Sequence, residues 1–153
     1  MLPETVSLIN SKPLGNIRYD YAVAPHHPLA SAIEPITDAM MLAHRVVAVA
    51  DSVQRGTGIS VGLLGGQDVF TVPGMLAKLD AQLRGLGAGF LPEYLARPNI
   101  QTGRLIEKQV VQRARISRIS YAWLVSPGGP GQALAWCLIQ LVNPRTRQAL
   151  LDR

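Results

Sequence analysis

Short unbroken apolar runs alternate along this chain with segments whose apolar residues recur every three or four positions, which is the pattern of an α/β protein. Val6–Ile9 is a short apolar run. Ile17–Ala24 (IRYDYAVA) alternates and then turns continuously apolar, predicting a strand that ends where Pro25-His26-His27-Pro28 breaks regular structure. Pro35–Ala43 predicts a short helix with Pro35 in its first turn, where its missing N–H costs nothing. Val46–Ala50 (VVAVA) reads as a strand buried on both faces, and Asp68–Val72 (DVFTV) is strand-like. Between them lies the polar, glycine-rich passage Asp51–Gln67, where the pattern is weakest.

Pro73-Gly74 then opens a predicted helix with Met75, Leu76, Leu79, Leu83 and Leu86 on one face, closed by Gly85 and Gly87. Ala88–Leu91 predicts a short strand. Pro92 starts a helix through Tyr94 and Leu95 that Pro98 is expected to stop, and Gly103–Lys108 reads as a turn and a strand. Ile116–Ser126 predicts a longer strand, bounded by Pro127-Gly128-Gly129-Pro130. Gln132–Val142 predicts an amphipathic helix with Leu134, Leu138 and Leu141, broken at Pro144. No repeat, low-complexity tract or heptad seam interrupts this series.

With 153 residues, 48% hydrophobic and 16% charged, the chain can bury a core, and bulk disorder is excluded. Its single cysteine, Cys137, excludes an internal disulfide and a multi-cysteine zinc site; with Leu134, Leu138 and Leu141 as helical neighbours it is expected to be a buried small hydrophobe. No apolar run approaches the ~20 residues that span a bilayer. The first residues, MLPETVSLIN, lack a signal peptide's basic and apolar regions, so a cytoplasmic location is expected. The net charge of +5 has a local source: residues 101–118 carry Arg104, Lys108, Arg113, Arg115 and Arg118 against Glu107. That stretch reads partly as strand and has no interleaved aromatics for base stacking. Direct nucleic-acid binding is therefore not expected.

Motifs for catalysis are absent: there is no G-x-S-x-G, no phosphate-binding G-x-x-x-x-G-K-[ST] and no H-E-x-x-H, and the ten acidic residues form no evident pair. No catalytic residue and no cofactor is assigned. His26 and His27 point to opposite sides of an extended segment with no carboxylate or cysteine nearby. They read as structural loop residues, His44 as a capping or surface residue, and no metal site is assigned. Ligands of open α/β sheets sit outside the carboxyl ends of strands. Two such ends stand out, Val46–Ala50 leading into Asp51 and Ser52, and Asp68–Val72 leading into Pro73-Gly74-Met75. By the residues alone, the favoured reading is an ordinary strand-to-helix turn at Pro73-Gly74 and a turn cap at Ser52.

Two blocks in order, DYAVAPHHPLA at Asp20–Ala30 and VFTVPGMLAKLDAQLRGLGAGFLPEYLARPNIQTGRLIE at Val69–Glu107, give the chain a resemblance. It resembles the effector-binding domain of LysR-type transcriptional regulators, in which a helix precedes a Gly-x-Gly strand ending in proline and then a Gly-Arg/Glu-Leu segment. The resemblance runs over roughly residues 14–142. It implies an α/β fold of the type 2 periplasmic-binding-protein kind, one complete subdomain plus a partial second subdomain. Residues 19–118 are then effector-binding subdomain II, and residues 1–18 and 119–153 the closing part of an incomplete subdomain I.

The same resemblance favours a small-molecule effector site formed by Asp51, Ser52, Thr71, Val72, Pro73, Gly74 and Met75. It also implies a non-catalytic sensing and dimerising domain, paired in a homodimer, that meets DNA only through the family's N-terminal helix-turn-helix domain, which this sequence lacks, and no membrane. The alternative is a fragment of a solute-binding protein of a transport system with the same fold.

Overall fold

The structure, a computed structural model, describes residues 8–50, 63–111 and 115–151. Contacts divide the chain into Arg18–Arg115 and a second unit made of Met1–Ile17 with Ile116–Arg153.

In the first of these units, the second half of β1 (Ile9–Val23) is central. It pairs antiparallel with β4 (Gly89–Pro92), Tyr21 opposite Phe90, and with β5 (Ile106–Glu107), Val23 opposite Ile106. β2 (Val46–Val49) and β3 (Val69–Val72) pair in parallel, Val46 opposite Val69 and Val49 opposite Val72. A parallel bridge between Val46 and Ala88 ties β2 to the entry of β4. Strands β2, β3 and β4 therefore end on one common edge, and β1 runs against them.

Alternation sends successive residues to opposite faces. Tyr21, Val23 and Phe90 join Leu29, Ile36 and Met41 in one core cluster, whereas Ala22 and Leu91 join Ala96 and Leu105 in another. Phe90 and Tyr21 meet edge to face with ring centroids 5.2 Å apart. The helix α2 (Met75–Leu83) lies on the Leu91 face: Met75, Leu79 and Leu83 pack there, half-buried. Its fully buried residues, however, are Lys78, Ala81 and Gln82. The predicted apolar face is thus corrected in part: Leu76 is 72% exposed, and Leu86, beyond the helix, is exposed as well.

Pro35 does not enter a helix. Ile36 N–H donates to the Gln109 carbonyl and its own carbonyl accepts from Val111 N–H, so the backbone is committed to a bridge and the helix α1 (Asp38–Leu42) starts later. Thr37 caps it, its hydroxyl accepting from Met40 N–H at 3.3 Å. Pro98 does not stop α3 (Glu93–Gln101), which continues through it. A proline removes one intrahelical donor, here the one the Tyr94 carbonyl would have met; buried Ala96 and half-buried Ile100 hold the helix on the core, and Asn99 Nδ2 adds a bond to the Leu95 carbonyl at 2.9 Å.

His27 ends the first half of the chain's β-structure by capping a 3-10 turn at Pro28–Ser31: its Nδ1 accepts from Leu29 N–H at 3.1 Å. Burial, then the neighbouring His44 and His26, holds its pKa below the ordinary histidine value. The unfolded chain therefore takes up this proton first, and stability falls as pH drops below that value. His27→Asn keeps a capping oxygen that does not titrate. It is expected to lose this part of the acid-side slope in urea unfolding between about pH 7 and pH 5.

In the other unit, β6 (Arg115–Leu124) pairs with β1, and Val125 N–H donates to the Leu8 carbonyl at 2.8 Å. The predicted helix appears as α4 (Gln132–Val142). Asn143 Oδ1 accepts from Arg145 N–H at 2.9 Å and Pro144 occupies the first position of α5 (Pro144–Leu151), so this proline both ends one helix and starts the next. Leu134, Leu138 and Leu141 turn inward but are only half-buried. Cys137 is exposed, correcting the expectation of a buried thiol, because no residue of α4 is fully covered.

Candidate functional site

Parallel pairing brings the carboxyl ends of β2 and β3 side by side, with Ala48 opposite Thr71 and Val49 opposite Val72. The two strand ends singled out in the sequence are thus neighbours on one sheet edge. Asp51 and Ser52 themselves lie outside the described residues. The other five form a continuous strand-to-helix turn. Val72 is buried against Val47 and Ala81, and Thr71, on the opposite face of the strand, is exposed, its hydroxyl without a partner among the described residues. Pro73 is exposed. Gly74 is the N-cap of α2, its carbonyl accepting from Lys78 N–H at 3.0 Å, and a Cβ placed on it would meet nothing within 4 Å. Met75 is half-buried against the core.

This edge has electrostatic character. The first turn of α2 has no side-chain cap and no acidic residue, so its leading N–H groups and the positive end of the helix dipole face outward. Polar groups needed for a small-molecule site are present as a hydroxyl and backbone donors, with Met75 as an adaptable apolar wall.

Two buried polar side chains on α2 escaped the sequence reading. Lys78 is 5% exposed and has no hydrogen bond or ion pair among the described residues. Burial, then the nearby Arg115 guanidinium, lowers its pKa to about 8. One turn on, fully buried Gln82 donates through Nε2 to the carbonyls of Gly89 (2.9 Å) and Ala22 (3.3 Å), while its Oε1 has no partner. The signal was the glycine at the head of β4. Gly89 lies under the helix, and its missing side chain leaves room for the long polar ones above it, whereas Gly87 is fitted against Arg45 and Val47. A Cβ on Gly87 would come 2.8 Å from the Arg45 carbonyl oxygen, and one on Gly89 3.4 Å from Lys78 Cε.

A second buried cation, Lys108, has a full set of partners, donating to the carbonyls of Ala30 (3.2 Å) and Ala32 (3.0 Å) and pairing with Glu34 at 3.2 Å. It ties the strand end to the 3-10 turn and is structural. The histidines are likewise engaged: His26 Nε2 lies 3.2 Å from the Arg84 carbonyl, and the His27 and His44 rings are 5.3 Å apart. Among the described residues no cluster of three metal-ligating side chains occurs, and no helix is long and apolar enough to cross a membrane.

Comparison with known proteins gives a consistent result. The family model described as LysR substrate binding domain matches residues 1–146. The chain is 37% identical over 121 residues to the HTH-type transcriptional regulator YeeY of Escherichia coli, covering 79% of this chain and 39% of that protein. It is 38% identical over 94 residues to the HTH-type transcriptional activator AllS of Klebsiella pneumoniae, covering 61% of this chain and 35% of that one. It spans less than half the length of these relatives.

Among solved structures, full-length LysG of Corynebacterium glutamicum with bound effector Arg superposes with a TM-score of 0.66 at 22% identity, covering 93% of this chain and 47% of that one. The regulatory domain of MetR from N. meningitidis superposes with a TM-score of 0.65 at 15% identity, covering 97% and 68%. The fold is that of LysR regulatory domains, α/β of the type 2 periplasmic-binding-protein kind, present here as one subdomain plus part of a second.

Proposed function

The chain belongs to the LysR substrate binding domain family, and on that premise we propose that it is the effector-sensing and dimerising part of a LysR-type transcriptional regulator, without catalysis. The match over residues 1–146 carries this reading, and the relatives are regulators rather than transport components. DNA contact then belongs to another part of the regulator, and the protein works in the cytoplasm. Residues 18–115 serve as the effector-binding subdomain. Exposed Trp136 and Ile139 on α4 suit self-association.

We place the effector at the carboxyl edge, against Thr71, Val72, Pro73, Gly74 and Met75, and assign Asp51 and Ser52, which follow β2 in sequence, to the same site. The adjacency of the β2 and β3 ends and the uncapped start of α2 support this placement. Effector binding shifts the population toward one conformation because the two states bind it with different affinity.

The test begins with small molecules released from the purified protein by denaturation and identified by mass spectrometry. Calorimetry then compares the native protein with Thr71→Val, which keeps the side-chain shape. Loss of one hydrogen bond to a neutral ligand group is expected to weaken binding by about 0.5–1.5 kcal/mol, up to about tenfold. Unchanged affinity would remove Thr71 from the site. A protein that releases and binds no small molecule would overturn the sensing reading.

A further inference from the structure

The unit made of Met1–Ile17 and Ile116–Arg153 holds a cleft of its own, with a volume of about 490 Å³. Pairing of β1 with β6 brings its strand walls together, Leu14 to Asn16 on one side and Arg118 with Ser120 on the other. Arg147 of α5 completes the lining. Residues two apart on a strand share a face, so Arg118 and Ser120 project together from β6. Arg147 and Leu151 are four apart and share a face of α5. Leu151 is seated on Gly15, where any Cβ would collide with its Cδ1. That contact holds α5 on β1 and sets Arg147 over the same stretch of strand.

The cleft has a one-sided charge. Two of its lining residues are arginines, which stay protonated at any working pH, and none is acidic. Arg147 Nε donates to the Leu141 carbonyl at 2.6 Å, which fixes the guanidinium plane. Its terminal nitrogens, and the whole Arg118 guanidinium, have no partner among the described residues. A guanidinium fork matches a carboxylate or a phosphate in shape as well as charge. We propose that this cleft is a second small-molecule site, in which Arg118 and Arg147 receive an oxyanion, the carboxylate or phosphate group of the ligand. Ser120 and Asn16 supply neutral donors, and Pro13 and Leu14 meet the apolar part of the molecule. A bound anion ties α5 to β6. The site shares no residue with the turn Thr71–Met75 and stands whether or not an effector binds there.

The experiment titrates the full 15N-labelled chain with inorganic phosphate and, separately, with sodium butyrate. Butyramide is the neutral counterpart and sodium chloride the ionic-strength control. The amide resonances of Gly15, Asn16 and Ser120 are expected to shift saturably with at least one of the two anions and with neither control. Phosphate acting alone identifies a phosphate ester as the ligand class, and butyrate acting alone a carboxylate. No saturable shift with either anion, or an equal response to butyramide or chloride, would overturn the inference.

Two variants separate a built site from a diffusely positive surface. Arg118→Gln is expected to weaken binding of the active anion about tenfold or more, because a charge-assisted bond is lost. The side chain is exposed on β6, so the variant is expected to keep the native amide spectrum away from the cleft. Arg145→Gln removes the same charge from an exposed position of α5 outside the cleft and is expected to leave affinity unchanged. Equal affinity in Arg118→Gln and the native protein, or an equal loss in Arg145→Gln, sinks the inference. Effector sensing at the Thr71–Met75 edge survives either result.

Discussion

Lys78→Met is expected to unfold at higher urea concentration than the native protein at neutral pH, with an advantage of about 1–3 kcal/mol. Methionine matches the length of the lysine stem and fills the same space beside Gly89 without a charge. The size follows from linkage. Burial and Arg115 lower the Lys78 pKa from 10.5 to about 8, and each unit corresponds to 1.36 kcal/mol, so roughly 3 kcal/mol is the ceiling. The sign is that of a depressed amine: between pH 8 and the usual lysine value the unfolded chain holds the proton that the folded chain has released. Native stability should therefore rise with pH across that window, and the advantage of Lys78→Met should fade toward its upper end. Urea unfolding at about pH 7, 9 and 10.5 checks this. A variant less stable than the native protein at every pH would show that the ammonium has an internal partner.

Leu91→Ala is expected to cost about 2–5 kcal/mol, whereas Leu76→Ala should change stability by less than about 0.5 kcal/mol. Leu91 is fully buried among Ala22, Ala96 and Leu105, where it joins β4 to β1, α3 and the segment entering β5. Half-buried Met75, Leu79, Leu83 and Ile100 pack against the same cluster, so the truncation removes contacts to two helices as well as to the sheet. Leu76 sits two-thirds or more in solvent on α2. The pair is a direct test of which face of α2 meets the sheet. Equal losses would restore the leucine face to the core. Two-state urea unfolding with unchanged m-values would make the comparison clean.

The strands and the long helices were legible in sequence because their signals are local. Unbroken β-branched runs mark strands covered on both sides, as at Val46–Val49, and glycine with positive φ at Gly85 marks a helix end. The amphipathic stripe at Leu134, Leu138 and Leu141 located α4 to its terminal residues. Proline misled twice. At Pro35 a backbone bridge to a segment more than seventy residues away took the donors and acceptors that a helix needed. At Pro98 the packing of Ala96 and Ile100 on the core held the helix in place despite the missing donor. Neither compensation is visible within a window of sequence around the proline.

The candidate site divides in the same way. The turn Thr71–Met75 announced itself as an apolar strand followed by proline, glycine and helical spacing, all short-range features. That its strand end lies beside the end of β2 is a property of the parallel pairing, which joins residues some twenty positions apart.

The amino-acid order by itself determined where each element begins its periodic pattern, which residues share a face, and the family to which the chain belongs. The tertiary structure alone decided which shared face is buried. On α2 that choice fell on Lys78, Ala81 and Gln82 together with only part of the leucine stripe. The helix lies over a strand whose entry carries Gly87 and Gly89. Burial depends on the contour of the opposing surface, and a surface relieved at Gly89 accepts long polar side chains that periodicity assigns to solvent.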